Sequence, residues 1–182
     1  MRTLTIAVVL VTALAFQGPQ TAHAQTTTTV GPVINSTGPV FPVTPTFETP
    51  LDLEYRVAFD VSETGGSDRI STSLNTVARF LNMHAQAGVP RAQLGAAVVV
   101  HGSAVLDVLS EEAYREHTAG ANPNATLLQE LLDAGVRVVV CGQSAAAQGY
   151  DPSELADGVE LALSAMTAFV VLQHEGYLVN PW

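Results

Sequence analysis

The sequence predicts an α/β fold, a three-layer α/β/α sandwich around a mostly parallel five-stranded sheet, and three observations predict it. The runs Gly95–His101 (GAAVVVH) and Val136–Val140 (VRVVV) are short and apolar without alternation, as expected of strands covered on both faces. Ahead of each lies a segment with apolar residues three and four apart: Ile70, Leu74, Val77 and Leu81 before the first, and Leu127, Leu128, Leu131 and Leu132 before the second. Strand and helix signals then keep alternating to the end, and right-handed crossovers fold such a βαβαβαβαβ order around one parallel sheet.

After Pro50 the elements follow in order. Leu53–Val61 (LEYRVAFDV) reads as the first strand, and Ser67 or Asp68 caps the helix that runs through Leu81 and ends at Gly88. His101 closes the second strand. A helix is expected over about Ser110–His117, and Asn122-Pro123-Asn124 opens the next one, which Gly135 ends. The third strand is followed at once by Cys141, with a helix starting near Gln143 or Ser144. Over Ser153–Gly176 the pattern admits one long helix interrupted at Gly158, or helix, strand and helix. The second reading is preferred, giving a short strand at Gly158–Leu163, a helix at Ala165–Glu175 and a last strand at Tyr177–Val179.

Two segments precede this domain of residues 51–182. Residues 1–24 have a positive start at Arg2, an apolar run from Leu4 to Phe16 and a small-x-small end at Ala22-His23-Ala24, the pattern of a secretory signal peptide cleaved before Gln25. The expectation is an exported protein, periplasmic or secreted, with no stable membrane insertion after cleavage, since the apolar run is shorter than the roughly 20 residues a bilayer requires. Residues 25–50 hold a run of four threonines, Thr26–Thr29, and Pro32, Pro39, Pro42, Pro45 and Pro50. Proline removes the amide that a central strand or helix interior needs, so this segment reads as an extended, flexible arm or linker, either disordered or wrapped on the domain.

Charge and composition narrow the function classes. The chain of 182 residues has 17 acidic side chains and 7 arginines without a single lysine, a net charge of −10. Nucleic acid is not an expected partner, because its affinity comes from clustered cations displacing counterions. Lysine Schiff-base and P-loop chemistry are excluded, and one cysteine excludes an internal disulfide or a CxxC site. No HxH, HExxH or tight His/Asp/Glu spacing occurs, so no metal site is expected, and no cofactor is called for.

In a parallel α/β sheet ligands bind at the carboxyl ends of the strands. Three loops reach that edge: Ser62–Ser67, His101–Ser103 and Cys141–Ser144. Cys141 ends a buried strand and precedes a helix start, where a thiolate is stabilised and made nucleophilic. Gly142 would let a substrate approach the backbone, and Gln143 or Ser144 would donate to a bound sulfur or oxyanion. The competing reading makes Cys141 a small buried hydrophobe. His101 is positioned to act on Cys141 as base or electrostatic partner if the two strands are neighbours, or else caps its strand by bonding backbone. The glycines and hydroxyls of Ser62–Ser67 weakly resemble a phosphate or flavin cradle, but Glu63 and Asp68 oppose an anion there. His84, His117 and His174 read as structural or solvated, and Tyr150, Tyr177 and Trp182 as packing anchors.

The segments Val98-Val99-Val100-His101-Gly102, Asn122-Pro123-Asn124, Leu131-Leu132-Asp133-Ala134-Gly135-Val136, Val139-Val140-Cys141-Gly142-Gln143-Ser144-Ala145-Ala146 and Leu163-Ser164-Ala165-Met166-Thr167 to Gly176-Tyr177, taken in order, resemble the DsrE/DsrF-like family over about Leu53–Trp182. The resemblance implies a compact parallel α/β fold, assembly as a homotrimer or hexamer, and, in sulfur-relay members, a cysteine after the third strand that carries a persulfide between partner proteins. Cys141 matches that position. The expected function is thus a sulfur carrier with protein donors and acceptors, with His101 assisting Cys141. The alternative is a non-catalytic oligomeric module that binds a ligand or protein and uses Cys141 for packing.

Overall fold

A computed structural model of the chain describes residues 27–180. The signal peptide read over residues 1–24, and Trp182, lie outside the described residues. The elements are β1 (Tyr55–Val61), α1 (Thr72–Gln86), β2 (Leu94–Val100), α2 (Glu111–Thr118), α3 (Ala125–Asp133), β3 (Arg137–Cys141), α4 (Gly142–Gln148), β4 (Glu160–Ala162), α5 (Ala165–His174) and β5 (Leu178–Asn180). All pairings within this sheet are parallel, in the order β4-β3-β2-β1-β5.

This order fixes where the helices go. From β1 to β4 the chain steps in one direction, so right-handed crossovers lay α1 to α4 on a single face. The return from β4 to β5 crosses the sheet the other way and puts α5 on the opposite face. Strand alternation sorts the side chains accordingly. Phe59, Val61, Val98, Val100, Val138 and Val140 join Leu74, Leu81, Tyr114, Leu127 and Leu131 in the main core. Ala58, Ala97, Val99 and Val139 face the other way and meet Ala168 and Leu172 of α5, with Ala165, Phe169 and Tyr177 packed around them. Along β2, Ala96 to Val100 are all buried, which is why that run shows no alternation in the sequence.

Local chemistry moves some boundaries from those expected. The α1 cap is Ser71, whose hydroxyl accepts from the Leu74 amide, and not Ser67 or Asp68. Residues 67–69 form a turn first, and Ile70 precedes the helix. β1 begins at Tyr55, opposite Leu94, and leaves Leu53 outside the sheet and half exposed. A 3-10 helix at Gly102–Val108, read as a loop from the sequence, separates β2 from α2. In the last third β4 and α5 match the strand and second helix of the preferred reading, while its first helix is reduced to a 3-10 turn at Pro152–Glu154, and Gly158 has φ +89° in the turn before β4.

From Thr27 to Val40 the proline-rich segment lies along α1. Asn82 is fully buried on that helix and reads its backbone, accepting from the amides of Val33 (3.1 Å) and Ile34 (2.9 Å) and donating to the Ile34 carbonyl (2.8 Å). Asn75, Arg79 and Gln86 add bonds to Gly38, Pro39 and Gly31. Ile34 itself is part of the main core. Backbone groups without secondary structure thus find partners mostly on α1, with the Ser36 amide held by Glu130 of α3 and Thr29 paired with Val40, as buried segments require.

Candidate functional site

Cys141 is the last residue of β3 and the N-cap of α4. Residues Val138 to Val140 are buried on both sides and fix the strand, and Gly142 lets the helix start hard against the end of β4. A Cβ on Gly142 would come within 2.7 Å of the Ala162 carbonyl oxygen, so the missing side chain makes room for the protein's own backbone. The space expected for substrate at Gly142 is filled in this way. Cys141 is 6% exposed. Burial pushes its thiol pKa up, but the Ser144 hydroxyl and the backbone amides of Ser144, Ala165 and Gln143 outweigh it and hold the thiol below its ordinary value. Amides from the first turns of two helices, α4 and α5, therefore converge on one sulfur, where helix N-termini favour negative charge.

Ser144 ties this turn to the neighbouring loop. Its Oγ accepts from the Gly102 amide at 3.1 Å, which leaves its own hydroxyl hydrogen to donate to the sulfur. Gln148 Nε2 donates to the Gly102 carbonyl at 2.6 Å, so Gly102 is held from both sides. Gly102 has φ +54°, and a Cβ there would lie 2.6 Å from the Ser62 carbonyl. Only glycine fits this bend. Gln143 contributes its backbone amide to the thiol, whereas its side chain is exposed and donates to the Leu163 carbonyl at 3.3 Å.

β2 and β3 are neighbours, and Val100 pairs with Val140, so His101 and Cys141 follow in register on adjacent strands. Both continue the face of Val99 and Val139. The His101 ring is engaged toward β1, with Nε2 2.6 Å from Asp60 Oδ1, and its hydrogen bond goes to that carboxylate rather than to the thiol. Asp60 was not singled out in the sequence. The signal that marks it is a carboxylate inside the apolar strand Val57–Val61, placed on the same face as Ala58. The Ala165 amide was also missed, because only the crossing of α5 to the far face brings it to β3.

The Ser62–Ser67 loop is occupied from within. Thr64 Oγ1 donates to Asp107 Oδ1 at 2.6 Å and the Gly65 amide donates to Oδ2 at 3.0 Å, while the Thr64 amide donates to Ser103 Oγ at 3.1 Å. Asp107 is 1% exposed, and burial pushes its pKa up against the opposing bonds from Thr64, Gly65 and Ser71. The donors that a phosphate or flavin would use are bound by a carboxylate of the chain. Elsewhere, His84 bonds the Phe80 carbonyl (2.8 Å), His117 pairs with Glu154 (3.0 Å) and stacks edge-on with Tyr150, and His174 is exposed. Tyr177 lies under the Arg56 guanidinium. Among the described residues no three His, Cys, Asp or Glu side chains gather in a metal-binding group, and no helix is long and apolar enough to cross a membrane.

Around the thiol the surface is apolar. Leu163 and Met166, on either side of Ala165, are 74% and 76% exposed, and Val170 and Val171 of α5 are exposed as well. Large apolar side chains left exposed along a helix in this way are what interaction sites present.

Comparison with known proteins agrees with this architecture. The structure of MTH1491, a protein of unknown function from Methanobacterium thermoautotrophicum, is similar with a TM-score of 0.53 and 21% identity, covering 70% of this chain and 99% of that one. The ychN protein from E. coli is similar with a TM-score of 0.51 and 18% identity, over 70% of this chain and 99% of its own. At such identities the likeness shows the fold. No curated protein sequence matches the chain. The model of the DsrE/DsrF-like family matches residues 56–181, from the first strand past the last. With that match spanning the whole sheet and both strand ends that carry His101 and Cys141, the chain belongs to the DsrE/DsrF-like family.

Proposed function

We propose that the protein is a sulfur carrier in which Cys141 accepts sulfane sulfur as a persulfide and passes it to a partner protein. The observation that carries this reading is the convergence of the Ser144 hydroxyl and three backbone amides on a single thiol, which favours the nucleophilic thiolate. Family membership supports it, since relay members of this family hold a cysteine after the third strand.

The chemistry balances without an external oxidant. The Cys141 thiol loses its proton to His101, and the thiolate attacks the terminal sulfur of a donor R–S–SH. A bond forms between Sγ and that sulfur, the donor S–S bond breaks, and its electron pair leaves on R–S⁻, which takes the proton back as R–SH. Sulfur leaves Cys141 by the same exchange with an acceptor thiolate. The donors that steady the thiolate also suit the persulfide anion. Gln143 and Ser144 provide them, and Gly142 sets the helix start that aims them.

Two further parts of the proposal rest on other observations. Export is read from residues 1–24. Homo-oligomerisation, as trimer or hexamer, is supported by the exposed apolar side of α5 and β5, which a single chain leaves open to water. That same surface, with a cysteine only 6% exposed, is what favours the second reading, an oligomeric binding module with a structural Cys141.

Intact mass after treatment with inorganic polysulfide separates the two. The carrier gains whole sulfur atoms, loses them to reductant, and gains none as Cys141→Ser, which keeps the fold. A wild-type chain whose mass is unchanged by polysulfide contradicts the carrier reading and leaves the binding module.

A further inference from the structure

Strand register places three groups of distinct chemistry on one face of the sheet. Asp60 on β1, His101 after β2 and Cys141 at the end of β3 each continue the face of Ala58, Val99 and Val139, the face that α5 covers. Because β1, β2 and β3 are consecutive in the sheet, the carboxylate, the imidazole and the thiol stand in a row, with neighbouring strands about 4.8 Å apart. The bond that orders the row is already made. His101 Nε2 lies 2.6 Å from Asp60 Oδ1, and both side chains are about a third exposed, so a proton taken up there reaches solvent.

That bond settles the imidazole's tautomer. A carboxylate accepts and cannot donate, so Nε2 carries the hydrogen, and in the neutral ring the lone pair is then on Nδ1. Among the described residues no hydrogen bond is made by His101 Nδ1, whereas His84 Nδ1 is taken up by the Phe80 carbonyl. The other charges on this face lie at the far end of the strands. Arg137, the first residue of β3, is paired with Glu160 and Glu175, and the first turn of α5 holds no acidic side chain.

We infer that Asp60 is the positioning residue of the sulfur site, holding His101 in the tautomer and orientation in which Nδ1 exchanges the proton of the Cys141 thiol. The row is a carboxylate-imidazole-thiol relay built across three parallel strands, and it is recognised by roles and geometry rather than by spacing in the chain. Asp60 touches no reacting sulfur. It acts by fixing the ring and by stabilising the imidazolium formed when the thiol ionises. The inference rests on the reading of Cys141 as a nucleophile.

Alkylation of the full chain by iodoacetamide tests it, since the sequence has one cysteine and every adduct reports Cys141. Asp60→Asn is expected to slow alkylation at pH 7 by about tenfold, less than the 10²-fold or more that a positioned general base itself supplies, and to move the pH profile upward. Asp60→Glu restores most of the rate, and Asp60→Asn adds nothing in a His101→Ala background. An Asp60→Asn profile identical to wild type, or a loss that adds fully to that of His101→Ala, overturns the inference. The nitrogen resonances of His101 in the unmodified protein give a second reading independent of any variant's folding: a hydrogen on Nε2 supports the relay and a neutral ring protonated on Nδ1 overturns it. Alkylation needs no sulfur donor, so a chain that shows this coupling yet gains no mass from polysulfide loses the carrier reading and keeps the relay.

Discussion

Two acids lie buried at the same edge of the sheet, and their surroundings drive them in opposite directions. Asp107, under the Ser62–Ser67 loop, is 1% exposed and its pKa is raised, because burial outweighs the bonds from Thr64, Gly65 and Ser71. Cys141, at the start of α4, is 6% exposed and its pKa is lowered, because the Ser144 hydroxyl and three amides outweigh burial. Both regions are strand-to-helix connections rich in small residues and hydrogen-bond donors. In the first the donors are closed onto a carboxylate that anchors the loop. In the second they surround a buried thiol beside an apolar rim. A loop's donor content therefore says little about ligand binding until the chain's own acceptors have been assigned to it.

Substitutions sharpen this contrast. The largest effect is expected from Ser144→Ala, which removes the side-chain donor to the sulfur and strands the Gly102 amide. A hydrogen bond to a charged group is worth about 1.5–3 kcal/mol, and the three amides remain, so alkylation of Cys141 at pH 7 should fall roughly tenfold. Asp107→Asn should leave that rate unchanged, and an equal loss in both variants would erase the distinction between the two regions.

A smaller effect appears in the pH dependence of stability, with opposite signs at the two sites. Asp107 binds its proton more tightly folded than unfolded, so its ionisation subtracts stability as pH rises from the ordinary value of 3.8 through the higher folded one. Cys141 ionises more readily folded, so its ionisation adds stability that is full above the ordinary thiol value of 9.0 and lost as pH falls through the lower folded one. Urea midpoints measured across pH should show the acid-side slope altered only by Asp107→Asn and the alkaline-side slope altered only by Cys141→Ser.

Periodicity and punctuation made the order of strands and helices legible, because each apolar run is bounded by glycine, proline or a capping side chain. The placement of Cys141 and His101 at strand ends was legible for the same reason. Asp60 was not, since its partnership depends on β1 lying beside β2, and strand order is a property of the folded sheet. The Ala165 amide was hidden likewise, 24 positions from Cys141 in the chain yet beside it after α5 crosses to the other face. Ser71 escaped as a helix cap because Ser67 and Asp68 offer the same chemistry a few residues earlier. What selects Ser71 is tertiary: its amide donates to Asn124 Oδ1 at 2.7 Å, and Gly65 packs against its backbone.

The central claim is that Cys141 is a thiol made acidic by its setting, and its reactivity across pH tests that most directly. Iodoacetamide rates on the folded wild-type chain, followed by intact mass from acid to alkaline pH, give the midpoint at which the single cysteine ionises. The account predicts a midpoint below the ordinary thiol value of 9.0. A midpoint at or above that value, or no alkylation while the chain stays folded, would contradict it and make Cys141 a packed core residue.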